Sequence, residues 1–307
     1  MDTSLPAHVH EFADVAQRRL GQIGGPQAAL RAESDGRIRE EARQALRDIG
    51  ADELNPRTDT DDTLAAAVLC HAAGQTLLPY PVVDELMSTD TARLTLIDPR
   101  APRVDHGDLD DRWLLADLGG TTYTGRPGAR RPAKLGPFLV PVDTPRPSSV
   151  VPPPDIALHL IFQSWRILGS LQRALAIACD HIKAREQFGQ PLAAFQSVRF
   201  SVADASVAVR GLEELCKFTL SRWQPGQDDP YQRSDALMLK LRAAETGIAL
   251  MRVCHQLLGA LGFCDESDIS VIDRHLQPLL RLPLSAEELS AHLVSELAAD
   301  RIETLFS

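Results

Sequence analysis

The chain has 307 residues, 44% of them hydrophobic and 24% charged, with 32 basic against 42 acidic side chains and a formal net charge of −10. That is apolar material for two or three packed units, and the acidic balance excludes nucleic acid as the main partner, because phosphate binding needs a dominant basic field. No apolar run approaches the roughly 20 residues that span a bilayer, and residues 1–12 lack the basic-then-apolar order of a secretory leader; a cytoplasmic protein with no membrane partner is expected. The five cysteines, Cys70, Cys179, Cys216, Cys254 and Cys264, show no C-x-x-C spacing, so neither a disulfide framework nor a zinc site is predicted. His8, His10 and Glu11 read as a frayed terminus, and no metal is expected.

Proline divides the chain. Of 21 prolines, 13 fall between Pro79 and Pro154, and proline is excluded from helix interiors, so the middle is not helical while both flanks are. The first part, residues 1–87, reads as short helices: residues 37–49 are amphipathic with Gly50 as a stop, and Asp61, Asp62 and Thr63 precede a helix over 64–78 that Pro79 and Pro81 end. The middle, 88–150, carries short apolar runs at Leu94–Ile97, Trp113–Ala116 and Phe138–Val140 between turn residues, a small β-domain. Arg126, Arg130, Arg131 and Lys134 there read as a solvated loop. The last part, 151–307, is an antiparallel helical bundle. Ile161, Trp165, Leu168, Leu171, Leu175, Ala178 and Ile182 form one stripe, Leu237, Leu241, Ala244, Ile248, Met251, His255 and Leu258 another, and residues 198–223 lie on a third helix.

The common nucleotide and hydrolase signatures are missing: no G-x-G-x-x-G after a strand, no P-loop, no G-x-S-x-G and no H-E-x-x-H. Two segments stand out instead. Arg185-Glu186-Gln187-Phe188-Gly189-Gln190-Pro191-Leu192, followed by Phe195-Gln196, ends one long helix and opens the next. An arginine flanked by amides at such a corner pairs bidentately with a phosphate or pyrophosphate. Gln256-Leu257-Leu258-Gly259-Ala260-Leu261-Gly262-Phe263 ends the other long helix, where small residues admit a ligand close to the backbone.

In order and spacing these segments resemble the R-x-Q-F-G…F-Q and Q-x-x-G-G-x-G motifs of the acyl-CoA dehydrogenase family, over residues 155–280. The resemblance implies a mainly α fold with a small middle β-domain and a C-terminal helical bundle. It also implies FAD as cofactor, shared across an interface, with Arg185, Gln187, Phe188, Gln196, Gln256 and Gly259 gripping its pyrophosphate and adenosine. Ala260 departs from the family glycine. Family enzymes oxidise acyl-CoA at Cα–Cβ with a carboxylate base and the flavin as hydride acceptor. Here the usual base position holds Pro283, and the alternative one, on the first long C-terminal helix, holds His159; no catalytic residue is assigned. No E-P-G-S-D-like segment of the kind that lines flavin and acyl-CoA is present.

Loss of the base with retention of the FAD motifs is similar to the short, non-catalytic subunits of actinobacterial heterotetrameric acyl-CoA dehydrogenases that act on steroid CoA thioesters, as is the turn Leu77-Leu78-Pro79-Tyr80-Pro81. That implies a full-length catalytic partner in an α2β2 assembly, a steroid-derived acyl-CoA substrate and electron-transfer flavoprotein as acceptor. Two other readings stay open: a self-sufficient dehydrogenase with a displaced base, Asp155 or Glu266, and a flavin-free helical scaffold.

Overall fold

The computed structural model describes residues 4–89, 92–109, 112–227 and 230–298. Five helices come first: α1 (Ala7–Gly21), α2 (Gly25–Ala32), α3 (Gly36–Asp48), α4 (Thr60–Gln75) and α5 (Val82–Leu86). Five strands follow, β1 (Arg93–Leu96), β2 (Arg103–Asp105), β3 (Trp113–Ala116), β4 (Thr121–Pro127) and β5 (Leu139–Val150). The remainder is helical, α6 (Pro153–Ala184), α7 (Gln196–Arg222), α8 (Pro230–Leu258), α9 (Asp268–Arg281) and α10 (Ala286–Ala298), with a small ribbon of β6 (Glu186–Gln187) and β7 (Gln190–Pro191) between α6 and α7. The fold is mainly helical with a small sheet in the middle.

Local chemistry sets several of these boundaries. α4 starts four residues before the sequence places it, because Asp59 caps it by accepting from the Asp62 N–H at 2.9 Å. It also stops early: Leu77 adopts a left-handed φ of 46° and turns the chain ahead of Pro79. Pro153 and Pro154 occupy the first turn of α6, where a missing N–H costs nothing. The sheet runs β1-β3-β4-β5-β2, with β1 and β3 parallel and the other pairs antiparallel. β2 and β4 escape sequence reading because one is three residues long and the other, TTYTGRP, carries glycine and proline.

The sheet is fastened to the bundle by a proline. Pro278 lies inside α9 and has no N–H to give the Arg274 carbonyl. The Gly136 N–H, from the segment leading into β5, fills that place at 2.9 Å. Gly136 has φ +63°, and a β-carbon there would sit 3.0 Å from Pro278 Cγ, so only glycine makes this joint.

α6 is the axis of the molecule, packed on α4 along one side and α8 along another. Its predicted apolar stripe describes its second half. Residues 156–171 are buried all round. Burial on every side brings in polar groups, several of which are met locally: Ser164 Oγ donates to the Leu160 carbonyl at 2.8 Å, Arg166 to the Leu78 carbonyl at 3.1 Å and Ser170 Oγ to the Gly74 carbonyl at 3.1 Å, while Gln163 Oε1 and Trp165 Nε1 have no partner among the described residues. At the crossing of α4 and α6 the backbones touch: a β-carbon on Gly74 would collide with the Arg166 carbonyl, and one on Gly169 with the His71 carbonyl.

The stretch Tyr231–Phe263, α8 and the turn after it, is long and apolar enough to cross a membrane by length and composition alone, contrary to the sequence expectation. It is the bundle's second core helix, packed against α6, α7, α9 and α10, so more than one of its faces is apolar. It also buries Lys240, whose Nζ donates to the Leu279 carbonyl in the last turn of α9. Burial pushes the Lys240 amine down to about 7.

Two experiments test this account. Gly169→Ala should destabilise the fold by about 3 kcal/mol, since backbone must move to admit the methyl. Gly211→Ala, in mid-α7 with nothing within 4 Å, should stabilise it by about 0.5–1 kcal/mol; chemical denaturation of both variants checks the contrast. The unfolded chain holds the Lys240 proton up to about pH 10, whereas the folded chain releases it near 7. Wild-type stability should therefore gain a component rising by about 1.4 kcal/mol per pH unit between those limits. Lys240→Met should lack that component when unfolding is compared at pH 7 and 9.5.

Candidate functional site

The corner between α6 and α7 is built by a tight ribbon. α6 ends at Ala184, and Arg185 is extended at φ −85°, ψ 120°. Glu186 pairs with Pro191 and Gln187 with Gln190. The two residues between, Phe188 and Gly189, both take positive φ, 56° and 79°, the geometry of a two-residue hairpin turn. The Leu192 N–H donates to the Arg185 carbonyl at 2.8 Å and closes the ribbon. A single 3-10 turn, Leu192–Ala194, then leads into α7.

This corner faces the end of α8, and between them lies a cavity of about 740 Å³. Arg185, Gln187, Gln256 and Gly259 line it together with His181, Ser197 and Ser201. Four of the six residues expected from the sequence thus share one wall. Phe188 and Gln196 do not line it: Phe188 is 92% exposed at the turn, edge-on to Phe195 at 6.3 Å, and Gln196 is exposed at the first position of α7. His181, Ser197 and Ser201 were not singled out in the sequence. The available signal was helical spacing, His181 one turn before Arg185 and the serines one turn apart on α7.

The cavity suits an anion. Arg185 is exposed and makes no ion pair or side-chain hydrogen bond with the described residues. Phe195 gives α7 no side-chain cap, so N–H groups of its first turn, beside Ser197 and Val198, stay available at the positive end of a 27-residue helix. Gly259 has φ +58° and nothing within 4 Å of where a β-carbon would be, which leaves its backbone open to a ligand. Ala260 is exposed on the same wall.

Where the sheet meets the helices the situation is reversed. Asp105, His106 and Phe138 face Arg166 of α6 and His275 of α9 across a space of about 10 Å³, room for one water. His106 stacks on Phe138 at 4.4 Å, His275 meets the same ring edge-on at 5.4 Å, and the Arg39 guanidinium lies 4.9 Å from its centroid. Burial raises Asp105 to about 7 despite Arg166 and holds the His106 imidazole well below its ordinary range. The crevice is filled by the protein's own side chains.

The residues weighed as bases are engaged elsewhere or stand apart. Asp155 pairs with Arg57 Nε at 3.0 Å, and the same guanidinium donates to the Met87 and Ser88 carbonyls. His159, fully buried, has Nε2 3.0 Å from Asp84 Oδ1. Pro283 is buried. Glu266 is exposed, and its carbonyl accepts from Gln27 Nε2. The basic loop is also spoken for in part: Arg130 donates to the Glu33 carbonyl at 2.5 Å, and Lys134 pairs with Asp265 at 3.1 Å.

With this geometry in hand, comparison with known proteins shows what the chain resembles. Residues 161–280 match the family model for the acyl-CoA dehydrogenase C-terminal domain, and the chain's fold is acyl-CoA dehydrogenase-like. More particularly, it is 23% identical over 256 residues to acyl-CoA dehydrogenase IpdE2 of Mycobacterium tuberculosis, covering 75% of this chain and 77% of that protein. At 30% identity it matches the short-chain-specific acyl-CoA dehydrogenase of Megasphaera elsdenii over 36% of this chain, and it spans only 27% of that relative's length. Among solved structures it is similar to a chain of the Tcur3481–Tcur3483 steroid ACAD (TM-score 0.76, 17% identity, 98% of this chain and 99% of that one). It is also similar to a chain of the ChsE4–ChsE5 complex from Mycobacterium tuberculosis (TM-score 0.70, 16% identity, 97% and 99%).

If Asp155 is structural, Asp155→Asn and Arg57→Ala should each cost about 1.5–3 kcal/mol of stability. The double variant should cost clearly less than their sum, because both remove one interaction. Denaturation midpoints of the four proteins in the cycle check it.

Proposed function

We propose that this chain is a subunit of an FAD-dependent acyl-CoA dehydrogenase that completes a partner subunit's FAD site and supplies no catalytic base of its own. The observation that carries the reading is the contrast between an open corner, where an unpaired Arg185 meets Gln187, Gln256 and Gly259 around one cavity, and a filled helix–sheet crevice.

In the corner the Arg185 fork engages diphosphate oxygens in pairs, and the uncapped start of α7 adds backbone donors of the same sign. Gln187 and Gln256 offer amides that both donate and accept, as an adenosine requires. Gly259 lets the nucleotide approach the main chain. Bound FAD supplies the hydride acceptor for Cα–Cβ oxidation. The proton is taken by a carboxylate of the partner, since Asp155 is committed to Arg57 and His159 to Asp84.

The partner in this reading is a full-length acyl-CoA dehydrogenase subunit, in an α2β2 assembly in the cytoplasm that passes electrons to electron-transfer flavoprotein. The similarity to subunits of two-protein complexes, one named a steroid ACAD, supports a heteromeric assembly and a steroid-derived CoA thioester as substrate.

Arg185→Ala should lower FAD affinity of the assembled complex about ten- to a hundredfold without unfolding either subunit, and Arg185→Lys should recover only part of it, because a point charge does not copy the fork. Flavin content after dialysis is the measurement, and unchanged occupancy in the Ala variant counts against the site. Anaerobic titration with acyl-CoA should bleach one flavin per heterodimer. Asp155→Asn should leave single-turnover bleaching within a few-fold of wild type, where loss of a true base costs on the order of 10²–10⁴.

A further inference from the structure

The cavity wall that carries Gly259 and Ala260 belongs to the turn Gly259–Phe263, and one side chain holds that turn from behind. His255, in the last turn of α8, sets Nδ1 2.8 Å from the Gly262 carbonyl and Nε2 3.1 Å from Asp273 Oδ2. Its ring stacks on Phe263 with centroids 5.1 Å apart. The Gly262 carbonyl also accepts from Ser270 Oγ at 2.5 Å, and Asp273 takes Gln277 Nε2 on its other oxygen at 2.7 Å. Gly262 is confined: a β-carbon there would lie 3.1 Å from the His255 carbonyl oxygen. A main-chain carbonyl only accepts, so Nδ1 donates to Gly262, and Asp273 holds the ring by its other nitrogen.

We propose that His255 is a positioning residue for the nucleotide site. Held between the Gly262 carbonyl and Asp273, it fixes the turn whose other side presents the Gly259 and Ala260 backbone to the diphosphate-bearing ligand. The inference rests on the reading of the corner cavity as the site for the ADP part of FAD. His255 touches no ligand; it acts through the turn. Without its donors the Gly262 carbonyl keeps only Ser270, and the wall of the cavity loses its fixed position relative to Arg185.

The test uses ADP as the probe, titrated into the full chain and followed by NMR, with His255 imidazole nitrogen shifts recorded alongside. In wild type Nδ1 should show a bound proton. His255→Phe keeps a ring to stack on Phe263 but has no donors, and should bind ADP about tenfold more weakly. Asp273→Asn lets a neutral ring donate to Gly262 and accept from the amide, and should bind within about threefold of wild type. An unprotonated Nδ1 in wild type, or wild-type ADP affinity in a folded His255→Phe, overturns the proposal while leaving the nucleotide reading intact. No ADP binding by wild type overturns the nucleotide reading and, with it, this role.

Discussion

The contact on which the structure turns is the one between main chains at Gly74 and Gly169. Helices that meet through side chains stand about 8–10 Å apart; here each glycine faces the other helix's carbonyl with no room for a methyl. Close approach strips water from polar groups, and the joint answers that locally through Ser170 to the Gly74 carbonyl and Arg166 to the Leu78 carbonyl. With α4 drawn in on one side and α8 on another, the first half of α6 has no free surface. Only toward its C-terminal end does the helix become one-sided, and that is where Arg185 and the corner cavity lie.

The same constraint separates two regions of different character. Around residues 156–171 space is spent on protein–protein contact, and the crevice beneath the sheet is filled by the rings of His106, Phe138 and His275. Around residues 181–201 and 256–261 it is left open, with an arginine and a helix start uncommitted. A group that must stay dry and rigid and a group that must stay available are kept at opposite ends of one 32-residue helix.

Much of this was legible in the sequence, for identifiable reasons. Long stripes at three- and four-residue steps mark α6 and α8 because each residue on a helix repeats the same geometry, and the proline distribution marks the middle because proline lacks an N–H. Arg185 and Gly259 are legible because a corner needs special residues. What escaped depends on partners distant in sequence. The burial of α6 on every side follows from two glycines 95 positions apart, the pairing of Arg130 with Asp108 and the Glu33 carbonyl joins separate segments, and β2 exists because β5 is beside it. The serines of α7 are marked in the sequence only by their one-turn spacing; they matter because of what they face.

The joint between Gly136 and Pro278 has a consequence for how the chain is organised as an evolving object. A helix containing proline carries an open acceptor that has to be met from elsewhere, and here a loop of the sheet meets it. The sheet is thus part of the framework of α9, and α9 carries Asp273, which braces His255 and so the turn after α8. Whatever the sheet lines, one hydrogen bond of α9 depends on it. However short its middle becomes, the chain needs a glycine placed to reach that proline.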